Sequence, residues 1–302
     1  MNFPSKKTVI IIAGPTAVGK TSAAIALAKH FHTKIISADS RQCFKELNIG
    51  VARPSEEILK EVKHYFIASH SVKDEMTAAD FEKFALQTVS ELFITKDVVI
   101  MVGGTGLYIK AFCEGLDEIP EVNSELRIMI NAQFKAKGME WLQNEIKQKD
   151  PEFYKSGEIQ NPRRMMRALE VVESTGKSIL SFRKGKKAEK DFNIIKIGLQ
   201  LQKEELYKHI NVRVDKMIES GLFNEVKALI PFRKLNALQT VGYSEIYNYL
   251  DGNISFEQAV EEIKKNTRQY AKRQMTWFRK DKEIKWFAPE QIKEIIEYTD
   301  MQ

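Results

Sequence analysis

The stretch GPTAVGKT, residues 14–21, directly follows the apolar run TVIIIA and precedes SAAIALAKHF. A buried strand, a glycine-bearing loop and a helical period therefore stand in immediate succession. The loop fits the pattern G-x-x-x-x-G-K-[ST], which average residue usage matches by chance in roughly one chain per hundred of this length. The strand before it and the helix after it lower that figure further. Successive N–H groups of such a loop converge on phosphate oxygens, and the helix N-terminus adds its positive end. Gly14 and Gly19 permit the tight path around Pro15, Thr16, Ala17 and Val18; Lys20 reaches terminal phosphate oxygens, and Thr21 is placed to hold Mg²⁺.

The neighbourhood extends the pattern. KIISAD (34–39), VVIMVGG (98–104) and NIIKIGLQL (193–201) read as further strands. MTAADFEKFALQTVSELF (76–93) reads as a helix with a capping-box start at Thr77 and Asp80. Strands alternating with helices predict an α/β fold with a parallel sheet covered on both faces. From about Pro120 to Lys190 the period is helical, with breaks at Gly138, Pro151 and Gly176, and from Glu204 onward it is helical again. The expected organisation is a discontinuous core over 1–119 and 191–302 with C-terminal helices, interrupted by a helical insertion over 120–190.

The longest apolar runs are far shorter than the ~20 residues needed to cross a bilayer, and MNFPSKK has no apolar signal region behind it. A cytoplasmic protein without membrane partners is expected. Cys43 and Cys113 make no CxxC pair and no zinc spacing, so two reduced thiols are expected. The net charge of +6 is modest, but it is unevenly placed. Between Lys264 and Lys285 nine basic residues face two acids and are interleaved with Tyr270, Trp277 and Phe278. A second cluster, RKGKKAEK, spans 183–190. Each cluster alone reads equally well as a solvated helix face; basic and aromatic groups together suit an anionic polymer with stackable bases.

Three features separate this chain from an ordinary nucleotide hydrolase. VVIMVGG ends in glycines, with no acid where a hydrolase holds Mg²⁺ through its shell. The second strand ends at Asp39, in the crevice where α/β sheets bind ligands; on spacing alone Asp39 is equally a helix cap or a catalytic carboxylate. Thr105 follows the two glycines and opens another helix at the same edge.

GPTAVGKT, SADSRQCF (37–44), IGVARP (49–54), VGGTGLY (102–108), RRMMRALEV (163–171), LQTVGYSE (238–245) and TRQYAKRQMTWFR (267–279) occur in this order. Together they resemble the tRNA dimethylallyltransferase family, also called tRNA isopentenyltransferase, over nearly the whole chain. The later motifs are much more specific than the loop. The resemblance implies a P-loop, kinase-like core with a helical insertion. It implies transfer of a dimethylallyl group from dimethylallyl diphosphate to N6 of the adenosine at tRNA position 37, with Mg²⁺, by a protein expected to be a monomer.

By the same resemblance, Gly14 to Thr21 would cradle the diphosphate with Arg213 of HINVRVDKM. Thr16 and Asp39 would meet the target amine, with Asp39 as general base. Ser40, Arg41 and Gln42 would line the base pocket. Thr105, Arg127, Arg163, Arg164 and Arg167 match tRNA-contacting positions, as do Gln239, Gly242, Lys272, Arg273, Gln274, Trp277 and Arg279. Phe44 stands where the family commonly has tyrosine, and Val51 and Arg53 replace a more usual Thr and Lys; none of these touches the implied chemistry. No zinc-finger extension is expected, which is the bacterial arrangement. The competing readings are prenyl transfer to free AMP or ATP, a metabolite kinase using ATP, and a non-catalytic RNA-binding P-loop protein.

Overall fold

Thr8–Ala13 form strand β1, every residue of which is buried. A strand buried on both faces needs β-branched and apolar residues at successive positions, and TVIIIA supplies them. In the computed structural model, which describes residues 6–183, 185 and 188–302, β1 is central to a six-stranded sheet. The other strands are β2 (Ile35–Ser37), β3 (His64–Tyr65), β4 (Val98–Gly103), β5 (Asn193–Leu199) and β6 (Lys285–Phe287). Their order is β3-β2-β4-β1-β5-β6, all parallel. The first five residues, and Lys184, Lys186 and Lys187 of the basic cluster at 183–190, lie outside the described residues.

The side-chain period of two sends Val9, Ile11 and Ala13 to one face of the sheet and Ile10 and Ile12 to the other. The second face is covered by α1 (Lys20–His30), through Ala24, Leu27 and Ala28. After α2 (Glu56–Glu61), the first face is covered by α3 (Ala78–Phe93) and α4 (Gly106–Glu114), through Phe81, Ala85, Tyr108 and Phe112. Thr77 and Asp80 form the expected reciprocal capping box at the start of α3. Among the described residues, neither Cys43 nor Cys113 is in a disulfide.

The chain forms two compact units, Met1–Cys113 with Glu189–Gln302, and Glu114–Ala188. The second unit is helical: α5 (Ser124–Lys149), α6 (Pro151–Ser156) and α7 (Pro162–Thr175) close on Leu142, Ile146, Phe153, Met165 and Leu169. Gly138 (φ 73°) interrupts α5, and Gly176 (φ 68°) ends α7 in the left-handed conformation. In the first unit, α8 (Lys203–Glu219), α9 (Leu222–Ala228), α10 (Tyr243–Leu250), α11 (Phe256–Phe278) and α12 (Ile292–Asp300) complete the chain. No helix among the described residues is long and apolar enough to cross a membrane.

β4 lies between β1 and β2, so the chain segments leaving these three strands open onto one edge. Their approach is close: a Cβ at Gly103 would lie 2.1 Å from the Ala38 carbonyl oxygen. We expect Gly103→Ala to force the β2 and β4 backbones apart and to cost ~1–3 kcal/mol, the range for overpacking. A lowered midpoint of urea unfolding checks this.

Candidate functional site

The site begins with the backbone at the end of β1. Gly14 (φ 148°) turns beside β5, where a Cβ would meet the Leu199 carbonyl oxygen at 2.7 Å. Gly19 (φ 98°) is the N-cap of α1 and has no side chain to cap it. No side chain therefore competes for the first N–H groups of α1, which face the loop. Ala17 also adopts a positive φ (65°), uncommon for a residue with a Cβ.

Lys20 turns back over this loop, its Nζ donating to the carbonyls of Gly14 (3.0 Å) and Pro15 (2.6 Å). Arg213, on α8, donates from Nη1 to the Thr16 hydroxyl at 3.1 Å. Burial, then repulsion from Arg213, lowers the Lys20 pKa from 10.5 to about 7; the nearby Asp39 carboxylate opposes the change. Burial likewise lowers the Arg213 pKa. Two desolvated cations beside one carboxylate leave a surplus of positive charge, a setting that favours an anion.

Asp39 follows β2. Its Oδ1 accepts from the N–H groups of Arg41 (2.9 Å) and Gln42 (3.2 Å), so it caps the turn that it opens. The Gln42 amide donates to the carbonyls of Val51 and Ala52, each at 3.1 Å, and accepts from the Ser37 hydroxyl at 3.4 Å. Thr105 ties this turn to the one after β4: its hydroxyl accepts from Ser40 N–H at 3.0 Å and donates to the Ser40 hydroxyl at 3.3 Å. Asp39 thus caps a turn rather than a helix.

Two adjoining cavities meet here. One, of about 170 Å³, is lined by Thr16 to Ser22, Asp39, Gly103, Gly104 and Arg213, and has a polar wall. The other, of about 210 Å³, shares Thr16, Asp39 and Arg213 but is closed by Val51, Val214, Met217, Val241, Ile263 and Tyr270. Burial and then the Asp39 charge push the Tyr270 hydroxyl up to about 12, so it stays protonated at neutral pH; its hydrogen bond with Thr105 pulls the other way.

The expected polymer-binding residues are spread over both units. On α11, Lys272, Arg273 and Trp277 are exposed beside the buried Ala271, Gln274 and Phe278, and Arg279 is exposed at the helix C-cap. Gln274 is a strut: its Oε1 accepts from Thr16 N–H at 2.8 Å and its Nε2 donates to the Gly104 carbonyl at 2.9 Å. Gln239 donates to the Arg233 carbonyl at 2.6 Å, and Gly242 (φ 96°) gives its N–H to Glu245 at 2.8 Å. In the second unit the buried Glu170 accepts from Arg167 at 3.2 Å and lies 3.6 Å from Arg127, Arg164 pairs with Glu158, and Arg163 is exposed. The sequence reading did not single out Met217, Val214, Val241 or Ile263 for the site. Isolated apolar residues on amphipathic helices and loops carry no mark that separates a cavity wall from core.

No cluster of three or more His, Cys, Asp or Glu that could hold a metal ion occurs among the described residues. Mg²⁺ does not require one, since it keeps several waters and is held by substrate phosphates with one or two protein groups. The Thr21 hydroxyl and the Asp39 carboxylate line the same polar cavity, so the donor set fits such an ion.

Residues 42–281 match the family model described as IPP transferase. A curated relative, the tRNA dimethylallyltransferase of Christiangramia forsetii, is 50% identical over 293 residues, covering 97% of each chain. The crystal structure of the full-length tRNA isopentenylpyrophosphate transferase of Bacillus halodurans superposes with a TM-score of 0.71 at 34% identity, over 97% of this chain and 95% of that one. A eukaryotic dimethylallyltransferase acting on tRNA superposes with a TM-score of 0.74 at 25% identity, over 90% of this chain and 69% of that one.

Lys20 gives the site a pH signature. In the free protein its amine should titrate near 7, and inorganic diphosphate should raise that value, because an anion favours the charged form. Competitive acetylation of Lys20 between pH 6 and 9, read by mass spectrometry with and without diphosphate, checks both. The sign for stability follows: between about 7 and 10.5 the unfolded chain holds a proton that the folded one has lost, so this group adds stability as pH rises through that window.

Proposed function

The chain belongs to the IPP transferase family, and from that premise we propose that it is a tRNA prenyltransferase that moves a dimethylallyl group from dimethylallyl diphosphate to N6 of the adenosine at tRNA position 37. The observation that carries this reading is the composition of the paired cavity. A phosphate loop with Lys20 and Arg213 opens onto Asp39 and an apolar wall, while the end of β4 holds two glycines in place of a metal-binding acid.

The reaction breaks the bond between the allylic carbon and the diphosphate oxygen and forms a bond between that carbon and N6. The allyl cation that develops is delocalised, so the barrier lies largely in separating charge. The loop N–H groups, Lys20 and Arg213 face the place where the leaving charge grows. Mg²⁺, held through Thr21 and the diphosphate itself, would add Lewis-acid stabilisation there. Val51, Val214 and Met217 offer the five-carbon chain an apolar wall without a nucleophile.

The adenine amine is a weak nucleophile because its lone pair is delocalised into the ring. It needs orientation, and an acceptor for the proton that becomes acidic as its bond to carbon forms. The Thr16 hydroxyl and the Asp39 carboxylate line both cavities and fit those two tasks. The Arg213 bond to Thr16 ties the two halves of the site together.

The base has to leave the stacked anticodon loop to reach Asp39, at a cost of a few kcal/mol. The exposed Lys272, Arg273 and Trp277 of α11, with Arg279 at its C-cap, suit phosphate and base contacts that offset it. A soluble, cytoplasmic, monomeric enzyme is part of the same reading.

Incubation with radiolabelled dimethylallyl diphosphate, Mg²⁺ and unmodified tRNA, with AMP and ATP as parallel acceptors, tests this function. Label should enter tRNA alone. Asp39→Ala should lower turnover by about 10²-fold or more while leaving tRNA affinity nearly unchanged. Label in AMP would instead mark a free-nucleotide enzyme, and phosphoryl transfer from ATP a kinase. Affinity for tRNA should also fall steeply and log-linearly with salt concentration; a flat titration would remove the electrostatic part of the reading.

A further inference from the structure

One carboxylate outside the reaction cavities holds a whole turn by its backbone. Glu225, on α9, accepts through Oε2 from the N–H groups of Asn48 (3.2 Å) and Ile49 (2.7 Å). Through Oε1 it accepts from Gly50 N–H (3.0 Å) and from the Tyr243 hydroxyl (2.6 Å). Three successive N–H groups converging on one anion form a nest, and charged acceptors make such bonds roughly twice as strong as neutral ones. Gly50 packs closely against Tyr243, where a Cβ would come within 2.5 Å of a ring carbon. Burial and then the Glu225 charge raise the Tyr243 pKa, so its hydroxyl remains a donor.

The turn held in this way continues into the site. Ala52 N–H returns to the Ile49 carbonyl at 3.0 Å and Arg53 N–H to the Asn48 carbonyl at 3.1 Å, closing the turn on itself. The carbonyls of Val51 and Ala52 both receive the Gln42 amide at 3.1 Å, and Gln42 N–H donates to Asp39 Oδ1 at 3.2 Å. A continuous path of hydrogen bonds and rigid turn therefore runs from Glu225 through residues 48–52 and Gln42 to Asp39. Val51 and Ala52 also line both cavities.

We propose that Glu225 is a positioning residue for Asp39: it fixes the 48–52 turn, which fixes Gln42, which fixes the carboxylate. This rests on the reading of Asp39 as the acceptor of the amine proton. Glu225 touches no reacting group; it acts through the turn. A misplacement of about 1 Å at a reacting group can cost about 10²-fold in rate, so a partial release of the turn has room to show.

Glu225→Gln tests it at constant size. Whichever way the amide lies, an NH₂ replaces one of the two oxygens and faces donors, either those of Asn48 and Ile49 or those of Gly50 and Tyr243. The first readout does not depend on activity: hydrogen exchange at the Arg41 and Gln42 amides, the two that cap on Asp39, should accelerate about tenfold. In the transfer assay kcat should fall about tenfold, with KM for tRNA within about twofold of the parent. Combined with Gln42→Ala, the loss should be smaller than the product of the two single losses, because both act on one path.

Unchanged exchange at Arg41 and Gln42 overturns the proposal, and so does faster exchange with unchanged kcat, or a loss that multiplies fully with that of Gln42→Ala. Acceleration across the whole chain with a lowered melting temperature marks a folding defect and overturns it as well. Should Glu225→Gln fail to fold, Tyr243→Phe removes one donor from the same oxygen and must give the same local pattern at smaller amplitude. If the parent protein transfers nothing to tRNA while the exchange pattern appears as expected, the functional reading fails and the Glu225 path stands.

Discussion

The Gln274 amide is the contact on which the rest of the site depends. It spans from the Thr16 N–H of the phosphate loop to the Gly104 carbonyl beyond β4, joining three segments that are distant in sequence. A Cβ at Gly104 would lie 2.2 Å from the Gln274 nitrogen, so any larger residue there would displace the amide from its place. A buried amide satisfied at both ends is rigid, and leaving either end unpaired costs about 1–3 kcal/mol. The phosphate loop is therefore held by its own glycines and also from above, by a helix that begins more than 230 residues after it.

That rigidity gives the electrostatics their force. Lys20 and Arg213 are both desolvated, and Arg213 further depresses Lys20, with Asp39 as the compensating charge that the Lys20 environment records. Such an arrangement is unfavourable in isolation and favourable once an anion enters. Preorganised donors stabilise a leaving group without rearranging as charge develops. A loop that in other proteins holds the phosphate being transferred can equally hold a phosphate that departs, provided no strand-end acid commits the site to a nucleotide–metal complex.

Much of the fold was legible because its signals are local. β1, β2, β4 and β5 are apolar runs next to turn residues, and the breaks of the helical unit fall at Gly138, Pro151 and Gly176, where backbone conformation is set by residue type. β3 and β6 went unread. They are two and three residues long and lie at the sheet edges, where the partner strand rather than composition makes them strands. The site divides in the same way. The phosphate loop and Asp39 are marked by pattern. Gln274 entered through the family resemblance as an RNA contact, and its buried strut geometry, like the Glu225 nest, depends on pairings across the chain that no local period encodes.

The same distinction explains why α11 can serve two ends at once. Its buried residues, Ala259, Ile263, Ala271, Gln274 and Phe278, recur at helical spacing and place Gln274 inward, against the loop. Lys272, Arg273 and Trp277 fall between them, Arg279 follows at the C-cap, and all four are exposed. A polar residue within the inward stripe is tolerated only because both of its hydrogen-bonding ends find backbone partners; a leucine there would keep the core apolar and leave Thr16 N–H and the Gly104 carbonyl unpaired. The helix thus carries its charge on one face and the geometry of the phosphate loop on the other. Substitutions on the outer face alter charge without disturbing the loop, whereas a change at Gln274 alters the loop without removing any charge.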